Sequence, residues 1–160
     1  MTMKEIDRSD LEKAIIEQLQ EAKEIVLSTC ADGKVTARTM CHINDGVTVL
    51  FATDDRSEKV AQMRKNPNIA LTVGNLRIEA VAELFGRPGD HLTFAKAYAK
   101  KFPWLGEFYK PTPNDMLVIC RPNKISLYKY DNGPQEDTWL AGEKEAFRAD
   151  LSKYETESDE

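Results

Sequence analysis

Side chains that can bind an anion come together in the structure expected for residues 35–67. Two strand-like stretches flank Asp45-Gly46, which has the composition of a two-residue hairpin turn. That turn places Arg38 opposite Thr53, at the start of a helix predicted over 56–66. A helix start offers unpaired N–H groups and the positive end of the helix dipole. The sequence therefore predicts an anion cradle, with a phosphate as its natural guest, made of Arg38, Thr53, Ser57 and Lys59.

Two aspartates in the same turn leave a second interpretation open. Asp55 can serve as the helix cap, but Asp54 has to point to solvent if a phosphate binds here. In the alternative, the hydroxyl residues merely begin a helix, and Arg38 and Lys59 are surface charges that pair with the aspartates.

The elements that position this cradle alternate between short strands and helices. The order is a helix, three strands, a helix, two strands, a helix and two strands. The first helix carries one apolar face, and the last strand pair is expected to turn around Arg121-Pro122-Asn123. Strands are predicted at 24–30, 35–43, 47–52, 69–73, 76–85, 115–120 and 124–130. Since hairpins connect most strands, we expect an antiparallel barrel or closed sheet with helices packed outside.

Composition limits the class of protein. The 160 residues are 41% apolar and 31% charged, which fits one domain over 1–150 followed by an acidic, disordered tail at 151–160. The net charge of −5 argues against a general nucleic-acid binder or a polybasic membrane-surface protein. No apolar run reaches bilayer length, and the polar N-terminus lacks the core of a signal peptide, so a cytoplasmic location is expected. The three cysteines form no C-x-x-C pattern, so no metal site or redox dithiol is indicated.

A set of motif residues in the same region carries a family resemblance. The pattern is aromatic-x-T, then S-x-K, a helix and N-P, represented by Phe51, Thr53, Ser57, Lys59 and Asn66-Pro67. Over about residues 8 to 130 the sequence resembles the pyridoxamine 5′-phosphate oxidase-like family of FMN-binding split barrels, in particular its general stress protein-like members. The resemblance implies an α+β fold: a six- or seven-stranded antiparallel split β-barrel with about three peripheral helices. It also implies a homodimer with FMN at the subunit interface.

The family pattern assigns FMN-binding roles to individual positions. The strand that begins at the arginine would line the FMN, the Thr pair and the helix start would hold its phosphate, and an amide at the start of the fifth strand would reach the flavin. By resemblance these positions are Arg38, Thr39, Met40, Cys41, Ala52, Thr53, Ser57, Lys59 and Asn75. Glu58 stands where the oxidases proper carry a basic residue. The resemblance therefore favours the smaller stress-protein-like or nitroreductase-like members over oxidation of pyridoxamine phosphate itself.

The function expected from these observations is that of an FMN-dependent oxidoreductase acting on an unknown small molecule. No side chain is an obvious acid or base, so no catalytic residue is assigned. The alternatives are a non-catalytic module that binds flavin or haem, with His42 or His91 as a possible haem ligand, and a barrel whose acidic cradle has lost the cofactor. The aromatic residues Trp104, Phe108 and Tyr109 would form either a lid over a substrate or part of a dimer interface.

Overall fold

The computed structural model describes residues 8–104, 113–130 and 134–140. The helices are α1 (Arg8–Glu21), α2 (Glu58–Lys65) and α3 (Leu92–Lys101), with a short 3-10 helix at Pro88–Asp90 before α3. The strands are β1 (Glu24–Ala31), β2 (Lys34–Cys41), β3 (Ile43–Asp45), β4 (Thr48–Asp54), β5 (Asn68–Val73), β6 (Leu76–Leu84), β7 (Asp115–Tyr130) and β8 (Pro134–Leu140). None of these helices is both long and apolar enough to cross a membrane.

The sheet is a split barrel. Seven strands follow one hydrogen-bonded path in the order β2-β1-β5-β6-β7-β4-β3, and β8 extends the sheet beside β7. Every pairing is antiparallel. The two ends of the path, β2 and β3, are consecutive in sequence and separated only by His42. The predicted α+β fold, an antiparallel barrel with helices outside, is therefore confirmed.

The hairpin between β1 and β2 follows its turn chemistry. Ala31 pairs with Lys34, so Asp32 and Gly33 form a two-residue turn. Both have positive φ, 53° and 78°, which is the backbone that a type I′ turn requires. Asp-Gly is a turn signal that can be read from the sequence alone, and here the turn fixes the full register between the two strands.

The predicted register of the next hairpin is wrong. The sequence pattern placed the turn at Asp45-Gly46, but Asp45 pairs with Thr48, so the turn is Gly46-Val47. The shift of pairing by two residues keeps the same side chains on the same face, and it buries Val47 in the core.

Pairing along β4 also stops earlier than expected. The ladder between β3 and β4 ends at Ile43 and Leu50, because beyond His42 the chain enters β2 and pairs with β1 instead. Arg38 consequently pairs with Leu27, and not with Thr53 as predicted. In the described ladders nothing joins β2 to the second half of β4, and this gap is the split of the barrel.

The last predicted hairpin is a single strand. β7 runs without a turn through Pro122, and its register against β6 shifts at a bulge between Glu79 and Ala80. A proline has no N–H to give to a ladder, and a bulge is one of the places where a sheet accepts it. The first half of β7 pairs with β4 and the second half with β8, a strand that the sequence pattern did not predict.

The helices pack as their apolar stripes require, with one correction. Leu11, Ile15 and Leu19 of α1 are buried in the main core, as predicted. The sequence spacing predicts Ala95, Tyr98, Ala99 and Phe102 on the apolar face of α3; Tyr98 and Phe102 are buried as predicted, whereas Ala95 is half-buried and Ala99 is exposed. The buried stripe is Phe94, Tyr98 and Phe102, whose neighbouring rings lie 5.3 and 5.2 Å apart. The expected cap of this helix was Asp90, but that residue lies in the 3-10 helix, and His91 occupies the N-cap position.

Candidate functional site

The candidate site lies where β4 passes into α2. Ser57 occupies the N-cap position of α2, so the predicted cap, Asp55, is not the cap. The Ser57 side chain makes no capping hydrogen bond, and its Oγ is buried without a hydrogen-bond partner among the described residues. Buried hydroxyls are normally satisfied, so this oxygen is available to a ligand group at the helix start.

The two predicted cations reach this point from different elements. Lys59 of α2 donates from Nζ to Thr53 Oγ1 at 3.1 Å. Arg38 extends from β2 beneath the same helix, where its Nη2 donates to Gln62 Oε1 at 3.4 Å. Lys59 and Gln62 are three residues apart and share a helix face. The packing of α2 on β1 and β2 thus brings Arg38 to the start of α2 by a route other than the predicted strand pairing.

The two cations are held by neutral acceptors. Arg38 Nη1 donates to Thr29 Oγ1 at 2.8 Å and to the Leu27 carbonyl at 3.3 Å. Within the part of the chain that the structure describes, no carboxylate oxygen lies within 4.0 Å of Arg38 or Lys59. Burial lowers the pKa of Lys59, the charge of Arg38 lowers it further, and Asp54 opposes both. Burial likewise lowers the pKa of Arg38, against an opposing effect of Glu58. Two partly desolvated cations without an ion-pair partner favour an anionic ligand.

The acidic residues of this region are engaged elsewhere. Asp54 forms an exposed ion pair with Arg56, with Oδ2 at 2.8 Å from Nη2, and the hydrogen bonds from Arg56 lower the pKa of Asp54 to about 2. Glu58 pairs with Lys34 at 3.0 Å, and that contact lowers the pKa of Glu58. The alternative in which Arg38 and Lys59 are surface charges paired with the turn aspartates is therefore wrong for the described contacts.

The other predicted FMN-binding residues are distributed around this centre. Met40 packs against the main core, and Cys41 and Ala52 pack against the cluster beneath α3. Thr39 is exposed, on the face of β2 opposite to that of Arg38 and Met40. Asn75 lies in the turn between β5 and β6. Asn75 Oδ1 accepts a hydrogen bond from Gln18 at 3.1 Å, and β1 separates its sheet position from β2. The structure brings together Arg38, Thr53, Ser57 and Lys59, and it places Asn75 on a different part of the sheet.

Sequence reasoning missed three polar residues that support the cradle. Gln62 is 6% exposed, and its amide oxygen also accepts hydrogen bonds from Thr29 and Thr36, which pair across β1 and β2. The sequence feature that could have identified Gln62 is its place between Val60 and Met63, which puts a polar amide among the buried residues of α2. A buried amide needs polar partners, and only the docking of α2 identifies them.

Both histidines of the chain are buried. His42 is 0% exposed, and its Nε2 lies 3.1 Å from the Leu19 carbonyl and 3.4 Å from Lys101 Nζ. Burial and then the charge of Lys101 lower the pKa of His42 to about 4. His91, expected from the sequence to be a surface or capping residue, occupies the N-cap position of α3, but it is 3% exposed and packs on Phe85, so it does not lie on the surface. Neither ring is presented to solvent as an open ligand.

The predicted aromatic loop is described only at its start. Trp104 is exposed and meets Phe102 edge-on, with ring centroids 6.4 Å apart. Phe108, Tyr109 and the acidic tail at 151–160 lie outside the described residues.

Comparison with known proteins identifies the family. Residues 11–128 match the family described as pyridoxamine 5′-phosphate oxidase, and this range is well over half of the chain. The chain belongs to the pyridoxamine 5′-phosphate oxidase family. The resemblance carried by Phe51, Thr53, Ser57 and Lys59 is thereby confirmed. No curated protein matches the chain.

Solved structures share the fold of this family member. General Stress Protein 26 from Bacillus anthracis aligns with a TM-score of 0.59 at 23% identity, over 72% of this chain and 91% of that one. A protein named F420 reductase aligns with a TM-score of 0.59 at 18% identity, over 69% and 94%. HutZ, the haem storage protein from Vibrio cholerae, aligns with a TM-score of 0.60 at 17% identity, over 73% and 94%. At these identities the likeness concerns the fold.

Proposed function

We propose that the chain binds FMN and that the cradle at the start of α2 holds its phosphate. The observation that carries the proposal is the buried, unpartnered Ser57 Oγ beside two cations that have only neutral acceptors. A phosphate offers several acceptor oxygens, and its negative charge would provide the anionic partner that Arg38 and Lys59 do not have among the described residues. Arg38 and Lys59 would supply charge and N–H donors, Thr53 and Ser57 would supply hydroxyls, and the first N–H groups of α2 would complete the set.

The remainder of the cofactor is proposed to lie along the split of the barrel. β2 is the last strand of the sheet path, so the backbone groups on its open side have no strand partner in the described ladders. The main chain of Thr39, Met40 and Cys41 is proposed to line the ring, with Ala52 alongside. FMN, when bound, supplies the electron- and hydride-transfer chemistry, and the chain supplies position and environment.

The partner is proposed to be a second copy of the chain, with FMN at the interface. The outer face of β1 and β2 exposes Val26 and Val35, the latter at 68%, and a groove of about 520 Å³ crosses the same face. Exposed apolar side chains on a sheet face support an interface there. We further propose a cytoplasmic location, supported by three cysteines that are all free.

The activity proposed is that of an FMN-dependent oxidoreductase on a small molecule, in line with a fold neighbour named as a reductase. The second candidate is a module that binds flavin or haem without turnover. It is supported by the haem storage neighbour and by the lack of an obvious catalytic acid or base among the predicted site residues. Burial of His42 and His91 argues against the haem version, because an axial ligand must reach the iron.

A spectrum of the purified protein tests the proposal. We expect flavin absorbance, release of FMN by acid, and saturable reconstitution with added FMN. Absence of both flavin absorbance and FMN binding would overturn the proposal, and a Soret band in place of flavin bands would favour haem. Oxidation of NADH or NADPH with a quinone or nitro acceptor then separates an oxidoreductase from a pure binder.

A further inference from the structure

We propose that Gln62 is a positioning residue that fixes the Arg38 guanidinium for an anionic ligand while leaving its positive charge uncompensated. This inference rests on the proposed function of the cradle. It concerns a buried residue of α2 that the family pattern did not include. Its distinguishing feature is that an amide, and not a carboxylate, anchors the arginine.

The Gln62 amide is itself fixed from three sides. Its Oε1 accepts hydrogen bonds from Thr29 Oγ1 at 2.5 Å and from Thr36 Oγ1 at 2.9 Å, in addition to Arg38 Nη2 at 3.4 Å. Its Nε2 lies 3.4 Å from the Lys34 carbonyl. An amide oxygen has two lone pairs, so three converging donors use its accepting capacity fully. The orientation of Gln62 is therefore set by β1 and β2.

The same network fixes one part of the arginine and leaves another part available. Both Nη1 hydrogens are used, by Thr29 and by the Leu27 carbonyl, and one Nη2 hydrogen is used by Gln62. The Nε hydrogen and the second Nη2 hydrogen have no partner among the described residues. The edge of a guanidinium formed by Nε–H and an Nη2–H matches the paired oxygens of a phosphate.

The choice of amide decides the charge of the cradle. A glutamate at position 62 would still accept the hydrogen bond from Arg38, although it lacks the Nε2–H that reaches the Lys34 carbonyl, and it would form an ion pair with the guanidinium and cancel its attraction for an anion. The acidic residue whose charge acts on Arg38 is Glu58, and its carboxylate forms an ion pair with Lys34 at 3.0 Å. Gln62 thus provides orientation without neutralisation.

The isosteric variant Gln62→Glu separates these two effects. The probes are FMN and riboflavin, which differ by the phosphate alone, titrated against wild type and variant. We expect the variant to lose at least about tenfold in FMN affinity, while its riboflavin affinity changes by less than about threefold. The thermal midpoint of the ligand-free variant stays the same or rises, because the new carboxylate pairs with Arg38. Gln20→Glu, on the exposed side of α1, is the matched control with the same charge change, and it leaves both affinities unchanged.

A second variant keeps the test decisive if Gln62→Glu does not fold. Gln62→Met retains side-chain length but removes the acceptor, and we expect it to lower the preference for FMN over riboflavin. Unchanged FMN affinity in either folded variant would overturn the inference alone, as would an equal loss for both ligands. A wild-type protein that binds neither ligand would overturn the proposed function and this inference together.

Discussion

Acidification tests the burial of His42. The ring is fully buried, its Nδ1 has no partner among the described residues, and Lys101 Nζ lies 3.4 Å from its Nε2. Burial and Lys101 lower its pKa to about 4 from the unfolded value of about 6.5. Between these pH values the unfolded chain binds a proton that the folded chain does not. Stability therefore falls as pH decreases from about 6.5 to 4, and this contribution is constant above and below that window.

The magnitude follows from the separation of the two pKa values. About 2.5 pH units at about 1.4 kcal/mol each gives a loss of about 3.5 kcal/mol in the free energy of unfolding over the whole window, of which about 3 kcal/mol is reached at pH 4, where half of the folded molecules carry the proton. The assay is urea denaturation at several pH values from 7 to 4, on wild type and on His42→Gln, which does not titrate and keeps an N–H that can reach the Leu19 carbonyl. Subtracting one curve from the other removes the carboxylates, which titrate in both proteins.

We expect the advantage of wild type over the variant to shrink by about 3 kcal/mol between pH 7 and pH 4. Parallel curves for the two proteins over this range would refute the reasoning, because they would mean that His42 has the same pKa in the folded and unfolded chains.

Three further predictions concern the cradle and the core. Lys59→Ala is expected to weaken FMN binding at least tenfold, about 1.4 kcal/mol, in a fluorescence titration. The control is Arg64→Ala, an exposed position on the same helix, which leaves the FMN affinity unchanged. Equal FMN affinities for the two variants would mean that the phosphate binds elsewhere. Glu58→Gln is expected to strengthen FMN binding by roughly threefold, because it removes a negative charge that acts on Arg38, and weaker binding would contradict this. Stability should change by less than about 1 kcal/mol in that variant, since the Lys34–Glu58 pair is exposed. Leu71→Ala, at a fully buried position where β5 meets β1 and β6, should cost about 2–5 kcal/mol in urea denaturation, and a loss below about 1 kcal/mol would show that the core is not packed as described.

Local features of this fold could be predicted from local sequence. The stripe of Leu11, Ile15 and Leu19 defines the buried face of α1, and Asp32-Gly33 defines a turn because both residues tolerate positive φ. Pro67 follows the end of α2, as expected for a residue that cannot continue a helix. In each case a few neighbouring residues contain all the physical information that decides the outcome.

Strand partners could not be predicted in the same way. The pattern around Gly46 allows two turns that start one residue apart and shift the strand pairing by two residues, and alternation cannot separate them because both bury the same face. The exchange of partners at His42, where the chain passes from β2, which pairs with β1, to β3, which pairs with β4, depends on contacts far apart in sequence. Pro122 resembles a turn residue, and only the bulge against β6 explains its place inside a strand.

The cradle was predicted by an argument whose intermediate step was wrong. Arg38 does not pair with Thr53, yet it approaches the start of α2 because that helix packs on β1 and β2. The residue types were informative, since a serine at a helix start and a lysine two residues later suit an anion in any register. The role of Gln62 was not accessible, because its three donors come from two strands and meet only in the folded chain.

The central claim is that the start of α2 recognises a phosphate, and one paired titration tests it most directly. Wild-type protein is titrated with FMN and with riboflavin under the same conditions, and the two dissociation constants are compared. We predict that FMN binds at least about tenfold more tightly, because only FMN reaches Arg38, Ser57 and Lys59 with an anion. Equal affinities for the two flavins, or no binding of either, would contradict the account.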